Sequence, residues 1–394
     1  MAFDRRRFMQ LGAASLFAST SSVTAAPVFG RHRARALGVK IGRMRPGPLN
    51  AITDVEGVEV GHTTIIKGDG NLVIGKGPVR TGVTAIWPHR NIVDEFLTCG
   101  IDVPNGNGEL SGMLQARRLG VLNSPICLTN TSSVGAVYDV LQDLQPQDEW
   151  PAGTPVVGET WDAVLNDTLG RHVQEEHVLA ALRSARGGPV AEGAVGGGTG
   201  MICYEYKGGI GTSSRLVQAG NNTYTVGVLV QANHGERALL RIDGVPVGAR
   251  LSTASTPDIT PDLNSIIMVV ATDAPFLSHQ LERIARRATH GLARTGSISG
   301  NSSGDFTLAF STTNRISRSA FYEGTAYPLQ SVEQFSIGSV LEAVSDATEE
   351  AIINALFMAE NMTGINGNFV PALPLTQTLD ILGRHGRIAG AENG

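Results

Sequence analysis

The chain has 394 residues, a formal net charge of −5 and 42% hydrophobic residues, enough to bury the core of one large domain or two ordinary ones. It carries no basic stripe and no interleaving of aromatic with basic residues, which argues against a nucleic-acid partner. Three widely separated cysteines imply no disulfide framework, and nine histidines without an HExxH pattern or clustered spacing offer no catalytic zinc site, so no metal and no cofactor are expected.

The N-terminus reads as an export signal. Arg5, Arg6 and Arg7 precede Phe8 and a mild Ala/Ser/Leu-rich stretch, and small residues at Ala25 and Ala26 suit a signal peptidase. The Arg-Arg-x-Phe pattern is that of a twin-arginine signal, which exports folded proteins. Residues 1–26 are assigned to it, and the stretch is too short and polar to stay as a membrane span. The mature chain is therefore expected to be periplasmic and free of the membrane.

Strand-like and helix-like segments then alternate. Residues 81–88, 124–130, 224–233, 265–275 and 305–314 have the short, β-branched runs of strands, apolar on both faces as in sheets covered on both sides. Helices are expected over 107–122, 165–185, 278–295 and 339–362. In the third, Leu281, Ile284, Ala285, Ala288 and Leu292 share one face. Cys127 and Cys203 sit in apolar surroundings and read as core. The expected class is a layered α/β domain.

Some segments carry chemistry. RLSTASTPDITPDLN (250–264) is a polar, proline-bearing loop that feeds directly into the most apolar strand, SIIMVVAT. Ser265 stands at that joint. A serine there is ordinarily structural. If the bond before it were cut, its new α-amine, with a reference pKa of about 7.7–8.0, could serve as the base that a serine nucleophile needs. Asn233 and His234 end the strand VLVQAN, where a side-chain amide could donate to an oxyanion. The adjacent His234 invites a triad reading, but a terminal amine makes a histidine base unnecessary. Glu159 and Trp161 are two apart in VVGETWD, so an extended segment presents both on one side: a carboxylate beside an aromatic wall, suited to an amine. SGNSSGD (299–305) gathers hydroxyls and a carboxylate at a strand entrance, and GAVGGGTGM lacks the helix and ribose-binding acid of a dinucleotide fingerprint.

The motifs ETWD, GGGTGM, KGGIGTSSR, VLVQANHG, NSIIMVVATDAP, GNSSGD and LAFSTTN, in this order, resemble the family of the L-aminopeptidase D-Ala-esterase/amidase and the bacterial β-peptidyl aminopeptidases. The resemblance implies a four-layer αββα sandwich like that of N-terminal nucleophile hydrolases, with different strand connectivity. It implies self-cleavage between Asn264 and Ser265, giving an α-chain (27–264) and a β-chain (265–394) of one catalytic domain. Ser265 would be the nucleophile and Asn233 the oxyanion donor. Ser303 and Asp305 would support the nucleophile, Glu159 would bind the substrate's amine, and Trp161 would occupy an aromatic position of the family. Asp305 departs from the glutamate of the β-peptidase, and Trp161 leans toward that branch. The implied substrate is a small peptide or amide, with β-amino residues favoured over L-α or D-alanyl ones, and the implied assembly is a homo-oligomer, a tetramer of αβ units. An acyltransferase of the ornithine acetyltransferase kind and a non-catalytic binding protein are the competing classes; the former uses a threonine nucleophile in the cytoplasm.

Overall fold

The computed structural model describes residues 30–146, 153–219, 221–251 and 264–388. The export signal and residues 252–263 of the polar loop lie outside the described residues.

In chain order the elements are β1 (Glu59–Lys67), β2 (Val79–Trp87), β3 (Glu95–Gly106), α1 (Met113–Leu119), β4 (Val121–Leu122), β5 (Ile126–Asn130), α2 (Val134–Asp143), β6 (Val156–Thr160) and α3 (Glu175–Ser184). Then follow β7 (Ile202–Cys203), β8 (Tyr206–Lys207), β9 (Gly209–Ala219), β10 (Asn222–Asn233), β11 (Ser265–Thr272), α4 (Ser278–Arg294), β12 (Gly304–Ser317), α5 (Arg318–Tyr322), α6 (Gly338–Met358), β13 (Met362–Thr363), β14 (Phe369–Val370) and α7 (Leu375–Arg384).

Two sheets carry the fold, one ordered β1-β2-β5-β6 and the other β4-β3-β12-β11-β10-β9. The β5–β6 and β11–β12 pairs are parallel; the other pairs within these two sheets are antiparallel. Side-chain alternation along β11 shows how they stack. Ile267, Val269 and Ala271 join Ile126, Leu128 and Val156 of the first sheet in a core between the sheets. Ile266, Met268 and Val270 point the other way, onto Leu281, Ile284 and Ala288 of α4 and Val344, Ala347 and Ala351 of α6. On the far side, Val137 and Leu141 of α2 and Val178 and Leu182 of α3 pack on Val83, Cys127 and Val157. The four layers are thus α, β, β, α, as expected. A strand buried on both faces reads as a near-continuous apolar run, and each fully buried Ile, Met or Val of β11 contributes about 1.5–3 kcal/mol.

The helix α4 follows its apolar stripe, all five of whose residues are buried. Two expected helices are shorter than their sequences suggest. Over 107–122 only α1 is helical, because Gly112 (φ 74°) and Gly120 (φ 70°) take left-handed conformations at its two ends. Over 165–185 the helix starts at Glu175. Before it, the Asp167 carboxylate accepts the Gly170 N–H at 3.0 Å and Arg171 adopts φ 50°, which closes a separate short turn.

The helix α6 is buried nearly all round. It lies so close to β9 that a Cβ on Gly211 would sit 1.9 Å from the Ala351 carbonyl oxygen. Its Glu350 pairs with Arg215 of β9 at 2.6 Å, both fully buried, and with Arg35 of the N-terminal segment at 2.7 Å. Cys99, Cys127 and Cys203 are buried free thiols.

Candidate active site

Three strands bring their ends together at Ser265. Asn233, the last residue of β10, is its antiparallel register partner, and Gly304, the first residue of β12, is its parallel one. All three are buried, Ser265 being 6% exposed and Asn233 4%. The Gly304 N–H donates to the Asn264 carbonyl oxygen at 3.1 Å and to Ser265 Oγ at 3.2 Å. One backbone donor therefore holds the hydroxyl and the carbonyl of the preceding peptide side by side.

The Asn233 amide has a defined orientation. Its Oδ1 accepts the Ile202 N–H at 2.7 Å and its Nδ2 donates to the Trp161 carbonyl at 3.0 Å. An amide nitrogen carries two hydrogens, so a second N–H remains to meet an oxyanion at the end of β10. Trp161 is half-buried; it was expected as a wall of the pocket, and its carbonyl also fixes the amide.

Glu159 lies near the end of β6, 3% exposed. Its Oε1 accepts the Glu109 N–H at 3.0 Å and its Oε2 accepts the Thr131 hydroxyl. Burial pushes its pKa up; the Thr131 hydroxyl and the Glu109 N–H oppose that rise. Gly108 and Gly304, neither of which carries a side chain, come together beside it, next to the Phe306 ring. A Cβ on Gly108 would lie 2.8 Å from Glu159 Oε1 and 3.3 Å from the Gly304 Cα. Glycine at 108 and 304 is what lets the carboxylate come up to the start of β11.

Ser303 and Asp305 flank Gly304. The Ser303 hydroxyl donates to Asp305 Oδ1 at 2.6 Å, and both residues are buried. Burial raises the Asp305 pKa against the pull of the Ser303 hydroxyl. Phe306 belongs to the core between the sheets, so strand alternation puts Asp305 on the helix side. The pair thus reaches Ser265 through the backbone of Gly304. The preceding loop is clamped from the end of β3 and the residue beyond it: Asn105 Nδ2 donates to the carbonyls of Gly300 and Asn301 at 3.1 Å, and Asn107 Nδ2 to that of Ser302 at 2.6 Å.

Several of these residues carry no strong signal in the sequence. Thr131 sits in a TNTSS run that could be read as a loop polar for its own sake, and the Gly304 contribution is a main-chain group. Lys207 is a further case: fully buried, it donates to the Met201 carbonyl, beside the Ile202 N–H that orients Asn233. Burial lowers its pKa to about 7. A lone lysine inside YEYKGGIG is the clue that was available. The GGG run at 196–198 forms a buried single turn rather than opening a helix. Among the described residues no group of three His, Cys, Asp or Glu side chains is placed to hold a metal ion.

A serine at a strand start, an oriented amide donor across the ladder and a buried carboxylate nearby define a hydrolase of acyl–amine bonds. The fold places it among the N-terminal nucleophile type, and comparison with known proteins agrees. The model of peptidase family S58 matches residues 50–370, and the chain belongs to that family. It is 46% identical over 383 residues to the beta-peptidyl aminopeptidase BapA of Sphingosinicella xenopeptidilytica, covering 92% of this chain and 93% of the relative. The Burkholderia sp. beta-aminopeptidase superposes with a TM-score of 0.83 at 44% identity, covering 90% of this chain and 99% of that one. The L-aminopeptidase D-Ala-esterase/amidase of Ochrobactrum anthropi, described as a new variant among the Ntn hydrolase fold, does so with a TM-score of 0.83 at 40% identity, covering 91% and 99%. The chain is a hydrolase of the aminopeptidase class.

Proposed function

We propose that the chain is an exported, self-processing aminopeptidase that removes N-terminal residues, β-amino residues foremost, from short peptides, amides and esters. The observation that carries this reading is the Gly304 N–H shared between Asn264 O and Ser265 Oγ. In maturation, Ser265 Oγ attacks the Asn264 carbonyl carbon. The C–N bond breaks, the hydroxyl proton passes to the nitrogen, and an ester forms. Water then releases an α-chain ending at Asn264 and a β-chain starting at Ser265.

The freed α-amine, with a reference pKa of about 7.7–8.0, next acts as base toward the hydroxyl of the same residue. The substrate's ammonium pairs with Glu159, its scissile carbonyl meets Ser265 Oγ, and the developing oxyanion is held by Asn233 Nδ2. The leaving amine takes the proton, and water resolves the acyl-enzyme. Trp161 borders the substrate, while Ser303 and Asp305 fix Gly304. A β-amino residue places one more carbon between ammonium and carbonyl than an α-residue does, so the Glu159–Ser265 spacing sets the preference. The relatives of both branches superpose equally well, so L-α and D-alanyl substrates form the second reading.

The twin-arginine-type segment would deliver the folded precursor to the periplasm, and a homo-oligomer of αβ units is the working assembly. No described helix is long and apolar enough to cross a membrane. Intact-mass analysis of the purified protein tests the core of the reading: two chains joined at Asn264–Ser265 before cleavage are expected, and an active single chain would refute it. Turnover of β-alanyl, L-alanyl and D-alanyl anilides separates the two substrate readings.

A further inference from the structure

His234 is not absorbed by this mechanism. It follows Asn233, is 1% exposed, and neither ring nitrogen has a hydrogen-bond partner among the described residues. Its ring stands edge-on to Tyr204 with centroids 5.2 Å apart, and its carbonyl accepts the Tyr204 N–H at 2.7 Å. Burying a polar nitrogen without a partner is unfavourable, so such a side chain ordinarily faces water. His234 lines a small pocket of about 60 Å³ together with Asn264, Ser302 and Ser303. Ser302 Oγ is also buried without a partner among the described residues. That space is roomy and polar enough for one or two waters, and it opens onto Asn264, whose carbonyl carbon is the centre attacked in maturation.

We propose that His234 is a positioning residue for self-cleavage: it holds the water that hydrolyses the Asn264–Ser265 ester. This rests on the self-processing reading above. The water oxygen adds to the Asn264 carbonyl carbon and the bond to Ser265 Oγ breaks. One water proton returns to Oγ; the other ends on the freed Ser265 amine, leaving a carboxylate on Asn264. Burial lowers the His234 pKa to about 3, so the ring is neutral and presents one donor and one acceptor. It orients the water, while the Ser265 amine, released by ester formation, accepts the proton. A histidine that is superfluous as base for turnover thereby acquires a task in the uncut chain.

The test follows maturation of purified His234→Phe and His234→Gln by intact mass, with and without neutral hydroxylamine, which cleaves esters and leaves a hydroxamate on Asn264. His234→Phe keeps the ring packing on Tyr204 and removes both polar atoms; His234→Gln keeps a donor and an acceptor. Expected are at least a tenfold slower cut in His234→Phe, restoration of cleavage with the hydroxamate mass on hydroxylamine, and a smaller defect in His234→Gln. Ser265→Ala, which can form no ester, stays whole in hydroxylamine. The inference is overturned if His234→Phe matures at the wild-type rate. It is equally overturned if His234→Phe, or His234→Gln should the former not fold, stays uncut and resists hydroxylamine while its thermal unfolding matches wild type. A wild-type protein that never cuts would instead sink the self-processing reading itself.

Discussion

Replacing Glu159 by glutamine isolates the charge at the proposed amine site. The shape is kept: Oε1 can still accept the Glu109 N–H, and the Thr131 hydroxyl can accept from the new amide. What is lost is a negative charge in a site that is 3% exposed, where water screens little. Removing one partner of a buried charge pair costs about 2–5 kcal/mol, and a hydrogen bond to a charged group about 1.5–3. Two donors already share the Glu159 charge, so the lower part of that range applies, about 2–4 kcal/mol, or a 30- to 1000-fold fall in kcat/KM. The assay is hydrolysis of a β-alanyl anilide and of its N-acylated counterpart. Wild type should favour the free amine strongly, and Glu159→Gln should lose that preference while still maturing. Because burial raises the Glu159 pKa and only the carboxylate attracts the ammonium, wild-type KM should rise as pH falls through a value above the ordinary carboxylate range. That titration should vanish in the variant. A kcat/KM within threefold of wild type would refute the assignment.

Ser265→Ala should remain one chain and hydrolyse nothing, as checked by intact mass and anilide turnover. Asn233→Ala should lower kcat by about 10²–10³, the usual loss for one oxyanion donor, with KM changed little; a selective effect on KM would count against the role. Glu350→Ala removes the carboxylate that pairs with the fully buried Arg215, so a loss of about 3–5 kcal/mol is expected in denaturant titration. Parity with wild type there would show that the ion pair is not needed. Ile267→Ala opens the core between the sheets and should cost about 2–5 kcal/mol.

The sequence revealed β11, α4 and the strand end at Asn233 well, because their apolar periodicity coincides with their burial. It hid β9. There Thr212, Ser213, Ser214 and Arg215 are buried yet polar, satisfied by partners distant in sequence: Ser213 Oγ by the Ala347 carbonyl at 2.9 Å, Ser214 Oγ by Asp54 at 2.6 Å. A strand whose interior hydrogen bonds come from α6 and the N-terminal segment has no local signature. Conversely, 107–122 reads as one helix, and the left-handed Gly112 and Gly120 confine it to α1. In the site, Ser265, Asn233 and Glu159 were legible as residue types at strand ends. The Gly304 N–H that holds Ser265 Oγ beside the Asn264 carbonyl is a main-chain group, and no side-chain pattern announces it.

The interleaving of the six-stranded sheet bears on what a cut at Asn264–Ser265 leaves behind. Its centre, β12 and β11, would belong to the new chain, while its flanks, β3 on one side and β10 on the other, would belong to the old one. Each fragment alone would expose unpaired ladder edges, the template on which strands aggregate. The two halves are dovetailed rather than docked, so dilution should not part them, and one cooperative melt should follow even though no covalent bond joins them. Separately expressed halves should be insoluble unless they fold together.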